Sequence, residues 1–252
     1  MRSSNLVRSI SAALVMVGLW TAAAARQAPE APGTFSILGY DPATGEVGGA
    51  IQSRSFSVGS RNIWAEATVG AVVTQATVDV SYAPQALALL KKGIAPAAIV
   101  KQLWESDPDP LPERWSKHGR QFAVMNAKGD YAAFTGSKST EWAGHKGGKY
   151  CTAQGNILVG EPVVTSMVDA FEKTQGHLSA RLLAALEAGQ AAGGDKRGQQ
   201  SAAMIIVKKG EGAWLNNDVV LRLQVDDHAT PIKELTRLID KWKETRPRRL
   251  LP

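Results

Sequence analysis

The sequence predicts an α+β fold in which stacked sheets carry helix pairs on their outer faces. Three observations predict it. Strand-like and helix-like segments come in blocks: strands, two helices, strands, two helices, strands, one helix. Such blocks favour α+β layers over repeated βα units. The chain has 252 residues and no visible internal repeat, enough for one domain with one substantial core. It has a single cysteine, so no internal disulfide can staple the fold and the core must hold it.

The elements follow in chain order. Arg2 and Arg8 flank an n-region without acids, and an apolar run, Ile10 to Trp20, leads into Ala22 to Ala25. This pattern predicts a signal peptide over residues 1–25, hence a periplasmic or secreted protein. The run is short for a membrane span, and no later segment is long and apolar enough for one. "RQAPEAPG", residues 26–33, reads as an extended linker or propeptide stub. A single domain is expected over 34–245. Thr34 to Tyr40 and Val47 to Ser53 form a hairpin around "DPATGE", whose Asp, Pro and Gly suit a turn. Val69 to Thr74 is a third strand. Tyr82 to Lys92 is a helix stopped by Gly93, and Pro96 opens the next, to Glu105. "DPDPLPERW" is a loop that can rim a site. Gln121 to Met125 and Tyr131 to Phe134 form a second hairpin around Lys128-Gly129. "TGSKSTEWAGHKGGKY" reads as a Gly-rich excursion, and Tyr150 to Leu158 as a strand or extended edge. Helices are expected from Pro162 to Thr174 and from Leu178 to Ala191, strands from Ser201 to Lys208 and Val219 to Val225, and a last helix from Pro231 to Glu244. Residues 246–252 are a basic tail.

Charge and composition remove several function classes. The formal charge is +6, and loss of Arg2 and Arg8 with residues 1–25 leaves +4. Much of the excess sits in "KWKETRPRRLLP", which has one Trp and two Pro and reads as a solvated helix end. A nucleic-acid surface needs a basic face interleaved with aromatics, so no nucleic-acid partner is expected. His118, His145, His177 and His228 are widely separated, with no zinc spacing, and neither a G-x-S-x-G elbow nor an H-E-x-x-H motif is present. No metal and no organic cofactor are expected. Cys151 has no paired His nearby in sequence and reads as a small strand residue.

Gly33-Thr34 stands at the boundary between linker and first strand. A threonine that opens a chain carries its own general base. Its α-amine has a pKa of about 7.7 to 8.0, far nearer neutrality than a lysine at about 10.4. One residue then supplies nucleophile and base. Attack of Thr34 Oγ on the Gly33 carbonyl, an N-to-O acyl shift and hydrolysis would free that amine, and glycine tolerates the distortion this requires. The alternative is that Gly33 merely ends the linker.

"GTFSILGYDPATGEVGGAIQSRSFSVGS" resembles the opening hairpin of N-terminal nucleophile (Ntn) hydrolases. The chain is also similar to the family catalogued as domain of unknown function 1028, through "VGAVVTQA", "YAPQALALL", "WAGHKGGKYCTAQGNILVG", "LLAALEAGQAAGGDKRGQQSAAMIIV" and "VDDHATPIKELTRLI". The similarity runs from Thr34 to about Ile239. It implies an Ntn-hydrolase-like four-layer αββα sandwich of two mostly antiparallel sheets, with Thr34 as candidate nucleophile and no established substrate. Members often carry Asn before a "YGP" segment, where this chain has Asp79 and "YAP". Many begin Met-Thr, where this chain must lose a stub instead.

Other polar residues gain roles by position. Ser53 and Arg54 end the strand beside Thr34. Arg54 either binds a carboxylate or makes a structural ion pair. Thr74 and Gln75 end the third strand at the same mouth. Gln154 and Asn156 offer amide donors for an oxyanion, or cap a turn. Asp195 and Arg197 either orient the N-terminus or a substrate, or brace a loop. The expected catalytic residues are Thr34 and Asn156. The expected substrate-binding residues are Ser53, Arg54, Gln75, Gln154, Asp195 and Arg197. The preferred function is an exported hydrolase of an amide or related acyl bond in a small-molecule or peptide-like substrate. The alternative is a non-catalytic exported binding module on the same fold. Whether the chain forms a homo-oligomer stays open.

Overall fold

The computed structural model describes residues 33–245. The expected signal peptide, the expected linker up to residue 32 and the basic tail lie outside the described residues. The described residues fold as a mixed α+β structure with two antiparallel sheets and five α-helices. In order they are β1 (Thr34–Asp41), β2 (Glu46–Ser53), β3 (Ile63–Glu66), β4 (Gly70–Ala76), α1 (Tyr82–Lys91), α2 (Pro96–Ser106), β5 (Arg120–Asn126), β6 (Tyr131–Thr135), β7 (Trp142–Gly148), β8 (Cys151–Leu158), α3 (Pro162–Lys173), α4 (Leu178–Ala191), β9 (Ser201–Val207), β10 (Val219–Val225) and α5 (Pro231–Thr245).

Alternation along β1 and β2 sets the layering. Phe35, Ile37 and Ala50 face outward, into a cluster with Met167 and Phe171 of α3, Leu182 and Leu186 of α4, and Leu235 and Ile239 of α5. Leu38, Val47 and Ile51 face inward, against Ile63, Val73, Ala123 and Met125 of the other sheet. Val72, Phe122 and Val124 turn to that sheet's outer side and pack on α1 and α2. Strands with two buried faces need two partners. The six-stranded sheet runs β10-β9-β2-β1-β8-β7 and the four-stranded sheet β3-β4-β5-β6. Thus β1 is central, between β2 and β8.

Helix ends follow the sequence signals. Pro96 and Pro162 sit in the first turns of α2 and α3. Gly93 takes φ +77° just past α1, a left-handed stop that glycine adopts without a Cβ penalty.

Two strands depart from the sequence reading. β3 has four residues, too few to show a period. β7 lies inside the Gly-rich excursion, with Gly144, Gly147 and Gly148 in its seven residues. It is pinned by its ladder to β8 and by the Tyr131 hydroxyl, which donates to the Gly148 carbonyl at 3.0 Å, so no hydrophobic pattern marks it.

The loop after α2 is fastened by a buried ion pair. Arg120 Nε donates to Asp107 Oδ2 at 3.0 Å, with both side chains almost fully buried. The Tyr82 hydroxyl donates to the same oxygen at 2.7 Å, and Arg120 Nη1 donates to the Thr77 and Trp115 carbonyls. Burial works to raise the Asp107 carboxyl, but the Tyr82 hydroxyl, the Asp109 N–H and the Arg120 guanidinium outweigh it and hold it below the usual carboxylate range. The folded value therefore lies below the unfolded one of about 3.9. The stabilisation is complete above that unfolded value and is lost as pH falls through the lower, folded one. Arg120→Ala leaves the Asp107 charge buried without its cation. It should cost about 3–5 kcal/mol of unfolding free energy at neutral pH. Urea titration checks this, and a loss below about 1 kcal/mol, typical of exposed pairs, would refute the assignment.

Candidate active site

The hairpin register builds one polar row. Thr34, the first residue of β1, pairs with Ser53, the last of β2. On its other flank Thr34 pairs with Asn156 of β8, and Ser53 pairs in turn with Ser201 of β9. Residues directly opposite on antiparallel strands share a face, here the face toward the four-stranded sheet. All four are buried.

A directed chain of hydrogen bonds starts at Thr34. Its Oγ1 donates to Ser53 Oγ at 3.0 Å, and Ser53 Oγ donates to the Gly33 carbonyl at 2.6 Å. The Ser55 N–H donates to Ser53 Oγ at 3.1 Å. The Ser53 hydroxyl thus uses its one hydrogen and accepts twice, its full capacity. Arg197 Nη2 donates to the same Gly33 carbonyl at 3.1 Å. Two donors, one of them charged, therefore converge on the carbonyl just before Thr34.

Asp195 fixes that arginine. Its Oδ2 lies 2.8 Å from Arg197 Nη2 and its Oδ1 accepts from Arg197 Nε at 3.1 Å and from the Arg197 N–H at 2.9 Å. The Asp195 side chain is fully buried. The turn itself is tied to the end of β8 by a bridge between Asp195 and Leu158. Gly33 lies against this pair. A Cβ on Gly33 would come within 2.5 and 2.7 Å of the Asp195 carboxylate oxygens and 2.8 Å of Arg197 Nη2.

A second set of amides lies beneath the row, between the sheets. Gln75 Nε2 donates to the Thr34 carbonyl at 3.2 Å and to Gln121 Oε1 at 2.8 Å. Gln75 Oε1 accepts from Ser36 Oγ at 2.5 Å. Gln154 Nε2 donates to Ser36 Oγ at 2.7 Å and to the Ser36 carbonyl at 3.1 Å. Gln121 Nε2 reaches the Gly155 carbonyl at 2.8 Å. The three glutamines and Ser36 are buried.

The structure thus gathers Thr34, Ser53, Asn156, Asp195 and Arg197 around one peptide bond, with Gln75 beneath it. Gln154 lies two residues further along β8, and its amide nitrogen is engaged with Ser36. Arg54 is exposed, and its guanidinium is engaged with Gln200, donating to Oε1 at 3.0 Å. Sequence reasoning missed Ser36 and Gln121. Ser36 stands between the buried Phe35 and Ile37, and Gln121 beside the buried Phe122 and Ala123, and that contrast was the available signal. The end of the "DPDPLPERW" loop lines a cavity of about 260 Å³ with Thr77 and Lys138, a cavity that none of the residues gathered at Thr34 lines. Among the described residues no cluster of His, Cys, Asp or Glu has the make-up of a metal site, and no helix is long and apolar enough to cross a membrane.

Residues 34–235 match a family described as a family of unknown function, DUF1028. The chain belongs to this family. The DUF1028 match opens on Thr34 itself and leaves out the residues before it. A DUF1028 protein from Silicibacter pomeroyi, known from its crystal structure, is similar at 30% identity and a TM-score of 0.74. The similarity covers 84% of this chain and 89% of that one. A search of curated protein sequences finds no match.

Cys151 lies at the far end of β8 from this DUF1028 site, paired with Gly39. Burial first, and then the nearby Glu172 charge, push its thiol up to about 12. A thiol so placed holds almost no thiolate near neutrality. Iodoacetamide at pH 8 should leave the folded chain unlabelled and add one equivalent after denaturation. Rapid labelling of the native protein, read by intact mass, would contradict this burial.

Proposed function

We propose that this DUF1028 chain is an Ntn hydrolase of an amide or related acyl bond, with Thr34 as nucleophile, released by cleavage of its own Gly33–Thr34 peptide bond. The observation that carries the reading is the Gly33 carbonyl, held by Ser53 Oγ and Arg197 Nη2 beside a Thr34 hydroxyl that already donates to Ser53. Helices on the outer face of each of two stacked antiparallel sheets agree with the four-layer αββα arrangement of that class. The family match beginning at Thr34 supports the same boundary. Fold alone does not establish activity, so the argument rests on the site.

The first step runs along the hydrogen-bond chain. Thr34 Oγ forms a bond to the Gly33 carbonyl carbon and passes its proton to Ser53 Oγ. Ser53 passes its own proton to the Gly33 oxygen. The product is a neutral five-membered hydroxyoxazolidine, and Arg197 stabilises negative charge developing on its oxygen. Return of that proton through Ser53 to the Thr34 nitrogen, with rupture of the C–N bond, leaves an ester between Gly33 and Thr34 Oγ. Water cleaves the ester. The new α-amine of Thr34, with a pKa of about 8, is then the base for an external substrate. The substrate's oxyanion takes the same donors, Ser53 and Arg197, and Asn156, opposite Thr34, adds an amide donor in this reading. The signal-peptide pattern of residues 1–25 supports a reaction in the periplasm or outside the cell.

The test follows intact mass and N-terminal sequence of purified chain over time. Wild type should come to begin at Thr34. Thr34→Ala should keep the residues before position 34, whereas Thr34→Ser should still be cleaved. Ser53→Ala removes one carbonyl donor and the proton relay, and should slow cleavage by about 100- to 1,000-fold. Trimming of Thr34→Ala at the wild-type rate would assign the cut to another protease. A fully active chain still carrying residues 26–33 would overturn Thr34 as an N-terminal nucleophile.

A further inference from the structure

The cradle around Gly33 limits which acyl groups Thr34 can carry. Self-cleavage makes an ester of Gly33 on Thr34 Oγ. Any external substrate must make an ester on the same oxygen, its carbonyl among the same donors. The acyl group beside Thr34 therefore meets the walls that Gly33 meets.

Those walls leave no room for a substituent. A Cβ of L configuration on Gly33 would lie 2.5 Å from Asp195 Oδ2 and 2.7 Å from Oδ1, where ordinary van der Waals contact begins at 3.4 Å. Asp195 is not a loose side-chain tip that can swing aside. It is fully buried, held by two contacts to the Arg197 guanidinium and one to the Arg197 N–H. Moving it would also shift Arg197, which holds the carbonyl. A branched acyl group thus loses either its space or its oxyanion donor.

We infer that the enzyme acts on acyl groups whose carbon next to the carbonyl is an unsubstituted CH₂ or CH₃: glycyl, acylglycyl, acetyl or linear acyl amides and esters. The inference rests on Thr34 being the nucleophile. The step is ordinary acyl transfer. Thr34 Oγ bonds to the acyl carbon and its proton goes to the Thr34 amine. The leaving nitrogen or oxygen departs, an amine taking that proton with it. Water then cleaves the ester, giving the free acid and restoring the Thr34 hydroxyl.

The experiment uses the chain beginning at Thr34 and a panel of p-nitrophenyl esters: acetyl, N-acetylglycyl, N-acetyl-L-alanyl and isobutyryl. Nitrophenol release gives the acylation rate, and peptide mass mapping locates the acyl group. Acetyl and N-acetylglycyl should acylate Thr34 about 100-fold faster than the two branched esters, the scale of loss for a displacement near 1 Å. Acylation of Thr34 at similar rates by all four would overturn the specificity and leave the nucleophile in place. No acyl group on Thr34 from any ester, with nitrophenol released or not, would overturn the nucleophile and the specificity with it.

Discussion

Buried amides tie the two sheets together at the candidate site, Gln121 to the Gly155 carbonyl of β8 and Gln75 to β1. Gln75, on the four-stranded sheet, gives both its amide hydrogens and uses its oxygen, and two of those three contacts cross to β1. Its partners there are the Thr34 carbonyl and the Ser36 hydroxyl, which bracket the opening of the strand. Glutamine suits the position because it offers two donors and an acceptor on a stem long enough to cross the gap. An apolar residue would strip buried partners on both sheets, at about 1–3 kcal/mol for each group left unsatisfied. Below this level the interior between the sheets is apolar, with Leu38, Ile51, Val73 and Met125. The apolar interior holds the sheets together without fixing their offset, because hydrophobic burial is non-directional. The glutamine adds direction, and so fixes where Thr34 stands relative to the second sheet.

Around Thr34 the same logic operates with charge. The Asp195–Arg197 pair is half-open: the carboxylate is buried and the guanidinium is 27% exposed. A paired arginine costs less to bury than a lone one, and its Nη2 still donates to the Gly33 carbonyl. Asp195 therefore acts through Arg197, as its positioning residue. Ser53 plays the neutral counterpart, locked by the Ser55 N–H so that its one hydrogen points at Gly33. Donors set before any reaction begins need little rearrangement when charge develops on that oxygen.

Much of this was legible in the sequence, for identifiable reasons. Long strands announced themselves as largely apolar runs bounded by turn residues, and α2 and α3 by the prolines at their first turns. The pairing of Thr34 with Ser53 followed from hairpin geometry once both strand ends were placed. Asp195 and Arg197 stood out between glycine pairs and glutamines. β7 was hidden because close backbone approach, not side-chain burial, selects its residues. Gln154 was placed correctly on its strand, whereas Arg54 lies in the bend just past β2, and their side chains have other partners, Ser36 and Gln200. Strand position fixes a face, whereas hydrogen-bond partners depend on rotamers and on the opposite sheet. Ser36 and Gln121 act across the sheet interface, a contact that no local pattern encodes.

Burial of Thr34 bears on how such a site is switched on. With Gly33 attached, the Thr34 side chain has no solvent exposure and its nitrogen is an amide with no useful basicity. The uncut chain therefore lacks both access and base. In the proposed reaction, cutting one bond would remove the acyl group lying against the Asp195–Arg197 pair and turn the amide into an amine. The vacated cradle would then be the space an incoming acyl group takes, with the donors that held the Gly33 carbonyl freed for its own. On this proposal a single hydrolysis would create the base and supply the carbonyl donors, and the glycine of the first reaction would set the shape of the pocket used for the second.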